Sequence, residues 1–399
     1  MRGHSDSRLL RLLNGQRILD ALFDAAPHGI SRADIARVTG LSKPTVSNLT
    51  ADLEAAGLIR PSAPQTTLGN TELRNVGRPA SPYEFVPEAG FVVAVDMGAT
   101  KTIIGIANLL GTVVAEREVA TSSDAEAALG SVTRNAKEML FEIGAQARSA
   151  CVGVPGIYHV HSDTVENALN LPGFANLCVR ATLEELLGMN VHVDNDVNLA
   201  ALAEADANPE QANFLAISVG TGIGMGIIID GELYRGTSGG AGELGSLLLN
   251  GTPQQPTAPV ILEDVASAPA IRKSVTQATE SGYLTSLDGT ADVPEILSAA
   301  ANGDPAAAYA LQQSAQAMAY AVAQMHLTID PERVVFGGGV GSNPVFVDAV
   351  KAELHVLHPH KIEVIASTLG RRATFLGAVS LALSELHASL VADTLARTP

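Results

Sequence analysis

Three glycine-rich turns, each following a short apolar run, constrain the fold of this chain more than any other feature. An apolar run with β-branched residues predicts a buried strand. A glycine turn at its end lets a phosphate group approach the backbone closely. One such turn is a weak signal, whereas three in this order predict an α/β body. The turns occupy residues 96–101, 219–226 and 337–339.

The predicted elements follow the same order in two halves of the body. Residues 91–120 and 213–236 each contain three apolar runs separated by turn residues, which is typical of a strand meander. In each half a helix, a strand and a second helix follow. We therefore predict an N-terminal lobe at 91–210 and a C-terminal lobe at 211–399. Two lobes leave a cleft between them, where small-molecule sites usually form.

Composition favours a globular chain without a membrane span. Hydrophobic residues make up 46% of the 399 residues and charged residues 17%, a balance typical of filled cores. No run of 18 apolar residues is present, and the N-terminus lacks the apolar region of a secretory signal. Cys151 and Cys178 are the only cysteines, too few to cross-link a chain of this length. These features predict a reduced, cytoplasmic protein.

Charge is distributed unevenly along the chain. The net charge is -17, yet residues 1–90 hold ten basic and nine acidic residues. That segment therefore carries +1 and the remainder -18. A strongly acidic body repels DNA phosphates except where a near-neutral head is presented. Many cytoplasmic proteins are acidic for solubility alone, so the asymmetry carries little weight by itself.

Residues 31–57 have the spacing of a helix-turn-helix. Ser31 and Ser42 are each placed to cap a helix, and Gly40 supplies the tight turn between the two helices. Ile35, Ala36 and Val38 are apolar positions on the first helix, and Leu41 is expected to pack beneath the turn at Gly40. Pro44 suits the first turn of the second helix, where its missing N–H costs little. We predict a winged helix-turn-helix at 1–80 and a linker at 81–90.

The second helix has the side-chain distribution of a recognition helix. Val46, Leu49 and Leu53 repeat at helical spacing and face the core, which leaves polar residues, Thr50 among them, in the first two turns. Such side chains can contact base edges and phosphates in the major groove. The alternative is an ordinary helical hairpin with a solvated face. The predicted DNA-contacting residues are Arg17, Ser42, Lys43, Thr45, Ser47, Asn48 and, in the wing, Arg78.

The body carries carboxylates and glycines suited to binding a sugar and a nucleotide. Asp196 follows a strand, where it could act as a general base in phosphoryl transfer or cap the next helix. Asn195, Glu243 and Glu263 could accept hydrogen bonds from sugar hydroxyls. If the chain is a kinase, the predicted nucleotide-binding residues are Asp96, Gly98, Thr100, Lys101, Gly220, Thr221, Gly222, Gly337, Gly338 and Gly339.

These motifs together resemble the ROK family of repressors, open reading frames and sugar kinases. The resemblance covers nearly the whole chain and includes GRPA (77–80), DMGATK, GVPG (153–156), DNDVN (194–198), GTGIGMG, GGAGELG and FGGGVG. It implies an actin-like, ribonuclease-H-like sugar-kinase fold and a homodimer or homotetramer. Family members with a fused head are repressors, whereas stand-alone kinases lack the head.

The chain departs from the family pattern at the family's zinc site. Ser246 stands where the family has a histidine that binds zinc and sugar, and residues 250–262 contain no cysteine. A four-ligand structural zinc site needs such side chains. We therefore predict no zinc and no other metal, and a sugar pocket that has lost one contact.

The favoured function is a repressor of carbohydrate genes that binds double-stranded operator DNA. A sugar or sugar-phosphate effector would bind between the lobes near Asn195, Asp196, Glu243 and Glu263 and change the spacing of two heads. Whether this effector weakens operator binding, as an inducer, or strengthens it, as a co-repressor, stays open. No cofactor is required for this function. The alternatives are an ATP-dependent sugar kinase, which would need Mg-ATP, and a bifunctional protein.

Overall fold

The computed structural model describes residues 3–26, 28–62, 82–166, 173–174, 177–249, 259–357 and 362–396. Arg78 and the GRPA motif lie outside these residues, as does most of the predicted wing. The head begins with three helices in the described part of the chain. They are α1 (Gly3–Asp24), α2 (Arg32–Thr39) and α3 (Lys43–Ala55).

The caps predicted for the helix-turn-helix are confirmed. The hydroxyl of Ser31 accepts a hydrogen bond from the N–H of Asp34, and that of Ser42 accepts one from the N–H of Thr45. Gly40 ends α2 with φ 70°, a left-handed conformation that favours glycine. These caps satisfy backbone donors at the helix starts, which fixes where α3 begins.

The head extends beyond its predicted boundary. Strand β1 (Ile59–Pro61) pairs antiparallel with β2 (Tyr83–Phe85), so part of the predicted linker 81–90 is a strand. Tyr83 and Phe85 are buried in the head core with Ile18 and Leu53. The linker prediction was wrong because three residues between prolines and glycines are too few to show the alternation of apolar and polar residues that predicts a strand.

Tyr83 also joins α2 to α3 through its hydroxyl. Arg32 Nη2 donates to the Tyr83 oxygen at 2.6 Å, and that hydroxyl donates to Glu54 Oε2 at 3.1 Å. Because one half-buried hydroxyl makes both bonds, Tyr83→Phe is expected to lower the free energy of unfolding by ~1 kcal/mol. Urea denaturation checks this, with Tyr234→Phe, at a position 52% exposed, as the control. Equal losses in the two variants would contradict the expectation.

The N-terminal lobe is a five-stranded sheet in the order β5-β4-β3-β6-β9. The first three strands form the predicted antiparallel meander, and β6 and β9 add in parallel through helices. A short hairpin, β7–β8, projects beside the sheet. The strands are β3 (Phe91–Met97), β4 (Lys101–Asn108), β5 (Val113–Ala120), β6 (Ala147–Val154), β7 (Ile157–His159), β8 (Thr164–Glu166) and β9 (Asn190–Asn195).

Three helices accompany this sheet. The first of them ends at Glu142, because the chain turns near Gly144 at φ 64° and enters β6. The third helix starts directly at the end of β9, so the residues of the DNDVN motif lie at a strand–helix junction. The helices are α4 (Ala125–Glu142), α5 (Val179–Leu187) and α6 (Asp196–Ala207).

The C-terminal lobe repeats the sheet order of the first as β12-β11-β10-β13-β14. The meander is confirmed, although its third strand has only two residues because the chain turns away after Leu233. The strands are β10 (Phe214–Val219), β11 (Ile223–Ile229), β12 (Glu232–Leu233), β13 (Arg333–Gly337) and β14 (Glu363–Ala366). The helices are α7 (Glu263–Ala266), α8 (Ala268–Glu280), α9 (Val293–Ala301), α10 (Pro305–Ile329), α11 (Gly338–Gly341), α12 (Pro344–Leu357) and α13 (Ala373–Ala396).

The closing helix α13 does not stay with the C-terminal lobe, contrary to the predicted boundary 211–399. Its buried residues Phe375 and Ala382 pack in one cluster with Val92 of β3 and with the head. The segment Gly370–Ala392 is long and apolar enough to span a membrane by length and composition alone. Its apolar character is explained by this burial between the first lobe, α6 and α1.

Candidate functional site

The outward face of α3 presents the polar residues expected of a recognition helix. Lys43, Ser47 and Asn48 are exposed on it, and Thr45 is half-buried. Ser42 is exposed as well, and its hydroxyl also contacts Thr45 Oγ1 at 2.8 Å. The structure therefore brings these five predicted DNA contacts together at the N-terminal end of one helix.

Two other side chains of the helix-turn-helix lie differently from the prediction. Thr50 is fully buried and donates to the carbonyl of Val46 at 2.8 Å, so it faces the head core. Val38, one of the apolar positions on the first predicted helix, is 57% exposed. Arg17 is exposed on α1, beside Val38 and the end of α2.

Two carboxylates meet at the cleft side of the N-terminal lobe. Burial, and secondarily the charge of Asp96, raises the pKa of Asp196 to about 7. Burial also raises the pKa of Asp96 to about 6, against the opposing charge of Lys101. Two neighbouring carboxyl groups with raised pKa values destabilise the fold when they ionise. Such pairs are typical of ligand-binding or catalytic sites.

Asn195, rather than Asp196, caps helix α6. Its Oδ1 accepts from the N–H groups of Val197 and Asn198 at 2.8 and 3.2 Å. Its Nδ2 donates to the carbonyl of Gly156 at 2.8 Å. Both ends of the amide are thus engaged within the protein, which positions Asp196 as the first residue of the helix.

The C-terminal lobe contributes two further carboxylates, Glu243 and Glu263. Oε2 of Glu263 accepts from the N–H of Ile223 at 2.9 Å, and it lies 3.0 Å from where a Cβ on Gly222 would be. Burial, followed by the charge of Glu263, raises the pKa of Glu243. The carboxylate of Glu263 therefore supports the glycine turn after β10, and Glu243 lies within its electrostatic reach.

The second and third glycine turns lie against each other. A Cβ on Gly338 would be 2.5 Å from the carbonyl oxygen of Val219, and the φ of Gly338 is 79°. A Cβ on Gly220 would lie 4.0 Å from the backbone nitrogen of Gly339, at ordinary van der Waals distance. Thr221 and Gly222 are exposed next to them, whereas Gly337 ends β13.

The first glycine turn lies in the N-terminal lobe and is closed by a backbone hydrogen bond. The N–H of Gly98 donates to the carbonyl of Lys101 at 3.0 Å. Thr100 is exposed, while Nζ of Lys101 donates to Glu118 Oε2 at 2.7 Å. Lys101, the predicted phosphate cation, is therefore already neutralised by an acidic neighbour.

Family comparison supports this architecture. A model of the ROK family matches residues 92–385, which is more than half of the chain. The chain belongs to the ROK family. A MarR family model matches residues 17–66, in agreement with the winged helix of the head.

Relatives of the ROK family include proteins with and without a head. The chain is 27% identical over 95% of its length to a putative xylose repressor of Caldicellulosiruptor sp., covering 98% of that protein. The fold of a ROK family transcriptional regulator, a homolog of E. coli MLC protein, covers 97% of this chain and 99% of its own at a TM-score of 0.77 and 23% identity. A ROK hexokinase from Thermus thermophilus covers 74% of this chain and 99% of its own at a TM-score of 0.63 and 28% identity.

The ROK body has a further interlobe element that the sequence did not reveal, a clasp loop formed by residues 234–242. Nε of Arg235 donates across the cleft to the buried Asp194 Oδ2 at 2.7 Å. The carbonyl of Ser238 lies 2.8 Å from His159 Nδ1, and Gly239 packs on the Tyr158 carbonyl. No local pattern marks Arg235 for this role, since a single glycine follows it and the pair Gly239–Gly240 lies four positions further along the chain.

This ROK body was predicted to hold no zinc, and to need magnesium only as Mg-ATP if it acts as a kinase. Asp96 and Asp196 are hard carboxylate ligands of the kind that hold Mg²⁺ with a nucleotide, and Mg-ATP would be a phosphoryl donor there. Within the described residues no group of three or more His, Cys, Asp or Glu side chains could hold a metal. The predicted absence of zinc stays a prediction, since residues 250–258 lie outside that part.

Proposed function

We propose that this chain is a sugar-responsive transcriptional repressor that binds operator DNA through α3 and a sugar between the lobes. The capped recognition helix, joined through one continuous core to a ROK body, carries this conclusion. Xylose is the sugar we propose first, since a relative similar over nearly the whole chain is a putative xylose repressor. Catalysis is not needed for this function.

The charge pattern of the head supports DNA binding despite the acidic body. Four acidic side chains in the described part of the head pair with arginines, among them Asp52 with Arg11 and Glu84 with Arg60, each at 2.8 Å. Within the described residues Lys43 forms no ion pair, so it is available to a phosphate. A homodimer would place two α3 helices one helical turn of DNA apart, or a multiple, on a pseudo-palindromic operator.

The cleft geometry supports a sugar as effector. Asp196 and Glu243 both resist ionisation, and hydrogen bonds from sugar hydroxyls stabilise the charged forms. The clasp loop connects the lobes directly before Glu243, so a ligand held by both lobes can change their closure. We propose Asp196, Glu243 and Glu263 as sugar contacts, and Asn195 as the residue that orients Asp196.

A sugar kinase is the second candidate. The observation in its favour is that the charge of Asp96 acts on Asp196, and that Val197, the next residue, packs on Gly224 of the second glycine turn. Neutralisation of Lys101 by Glu118 weakens it, since it removes a cation from the phosphate turn. Incubation with Mg-ATP and a sugar panel separates the two functions, because turnover at ~1–100 per second is typical of kinases.

A gel-shift titration with the promoter upstream of the gene itself tests the repressor directly. We expect preference for that promoter over random duplex by a factor of ~10³ or more, and a change of affinity with D-xylose. Equal affinity for promoter and random duplex, with and without the sugar, would overturn the proposal.

A further inference from the structure

The helix pair α6 and α13 links the cleft to the head by direct contact. Thr374, at the start of α13, donates through Oγ1 to the carbonyl of Asp196 at 3.1 Å. Near the other end of α13, Leu386 and Leu390 are buried in one cluster with Ile18 of α1. The 13 positions between Thr374 and His387 span ~20 Å of helix.

At Gly377 no side chain separates the backbone of α13 from that of α6. A Cβ on Gly377 would lie 1.8 Å from the carbonyl oxygen of Leu199, so the two backbones are in contact. A Cβ on Gly153 of β6 would lie 2.9 Å from Leu199 Cδ1 of α6 and 2.9 Å from Thr374 Cγ2 of α13, so β6 is close to both helices. Because packed interiors deform little, a tilt of α6 is transmitted to α13.

The opposite face of α6 lies on the C-terminal lobe. A Cβ on Gly226 would be 2.4 Å from the Ala201 Cβ, and one on Gly224 2.9 Å from Val197 Cγ2. A cavity of about 130 Å³, lined by Glu204 and Ser218 among others, lies between the lobes at this level. Helix α6 is therefore in contact with both lobes, next to space into which they can move.

At the head, α13 makes an aromatic contact through His387. The ring of His387 lies 3.8 Å from that of Phe23 on α1, centroid to centroid. Phe23 in turn lies 4.2 Å from Phe85 of β2. Burial lowers the pKa of His387 to about 4, so the ring is neutral at physiological pH and its Nε2–H donates to the Leu109 carbonyl at 3.3 Å.

We propose that α6 and α13 form a relay through which sugar binding changes the orientation of the head. The contact between His387 of α13 and Phe23 of α1 is where a displacement of α13 is transmitted to the head. This inference rests on the proposed function, since it assumes a sugar in the cleft and an operator on α3. It adds a specific structural connection between the sugar site and the head, through α6 and α13, which the proposed function does not require.

The test uses the full chain with D-xylose as probe and a labelled promoter duplex. In His387→Ala the aromatic contact is lost, whereas His387→Phe keeps it. His355→Ala, at an exposed position of α12, is the matched control. Fluorescence anisotropy gives the operator Kd with and without saturating D-xylose, and calorimetry gives the sugar Kd.

We expect D-xylose to change the operator Kd of the unmodified chain by ~5-fold or more, and equally in His387→Phe and His355→Ala. In His387→Ala that factor should fall to within ~2-fold of unity while the sugar Kd is retained. Full coupling in His387→Ala would overturn the relay alone. Should the unmodified chain not respond to D-xylose or any other sugar of the panel, the proposed function fails, and the relay with it.

A variant that does not fold would be uninformative, so His387→Gln serves as a second substitution. Its amide can donate to the Leu109 carbonyl but provides no ring for Phe23. Hydrogen exchange adds an independent readout. Operator binding should change amide exchange around Gly377 in the unmodified chain and leave it unchanged in His387→Gln. Unaltered exchange there in the unmodified chain would also overturn the relay.

Discussion

Replacing Asn48 by alanine is expected to weaken operator binding by ~1–3 kcal/mol, because a side-chain amide that pairs with a base edge is lost. Asn48 is exposed in the second turn of α3, so its removal leaves no buried group unsatisfied. Alanine is also the better helix former, so the head should remain folded. Binding to random duplex should stay the same, since base contacts contribute little to it.

Lys43→Ala provides the matched comparison on the same helix. A lysine that contacts a phosphate contributes to specific and random binding alike, so both should weaken together. Its loss should also lower the dependence of log K on log salt by about one unit. Gel shifts at several salt concentrations measure both effects. An Asn48→Ala protein that binds the operator as tightly as the unmodified chain would remove Asn48 from the base-reading role.

Asp196→Asn is expected to stabilise the fold above neutral pH while it weakens sugar binding. The folded protein holds the pKa of Asp196 at about 7, far above the ordinary carboxyl value of 3.8. Below pH ~4 the group is neutral in both states and costs nothing. Between pH ~4 and ~7 the unfolded chain ionises while the folded protein keeps the proton, so stability is lost over this range, and the full cost is present above pH 7.

The expected gain from Asp196→Asn at pH 8 is roughly 2–4 kcal/mol, and it should disappear near pH 4. Asparagine keeps the oxygen that accepts from the Val197 N–H, so the helix start is retained. Chemical denaturation at the two pH values measures the difference. Asp230→Asn, at an exposed position with φ 53° that asparagine tolerates, is the control.

Although Asp196→Asn should stabilise the fold, it should weaken the binding of the sugar. A hydrogen bond to a charged group is worth ~1.5–3 kcal/mol, so D-xylose binding should weaken by about tenfold or more. A stabilised protein with unchanged sugar affinity would place the sugar away from Asp196. No stability gain at pH 8 would mean that the cleft accommodates the charge.

The sequence predicted those parts of the molecule that local chemistry determines. The caps at Ser31 and Ser42 and the left-handed Gly40 depend on neighbours within a few positions, and all three are confirmed. The repeated strand order in the two lobes followed from alternating apolar runs and glycine turns. Thr50 was misplaced because its burial depends on helical rotation relative to Arg32, a partner 18 positions away.

Long-range partners account for what the sequence could not show. Glu118 neutralises Lys101 from the neighbouring strand, and Arg235 reaches Asp194 across 41 positions of chain. The return of α13 to the first lobe depends on shape, since Gly377 alone allows its close crossing over Leu199. None of these contacts leaves a periodic or local signature in a single sequence.

Calorimetric titration of D-xylose into the full chain, alone and saturated with promoter duplex, measures whether cleft and head are linked. If they are, the duplex must change the sugar Kd by the same factor by which the sugar changes the operator Kd. We expect that factor to be ~5 or more in both directions. An identical sugar Kd with and without the duplex would contradict a sugar-responsive repressor.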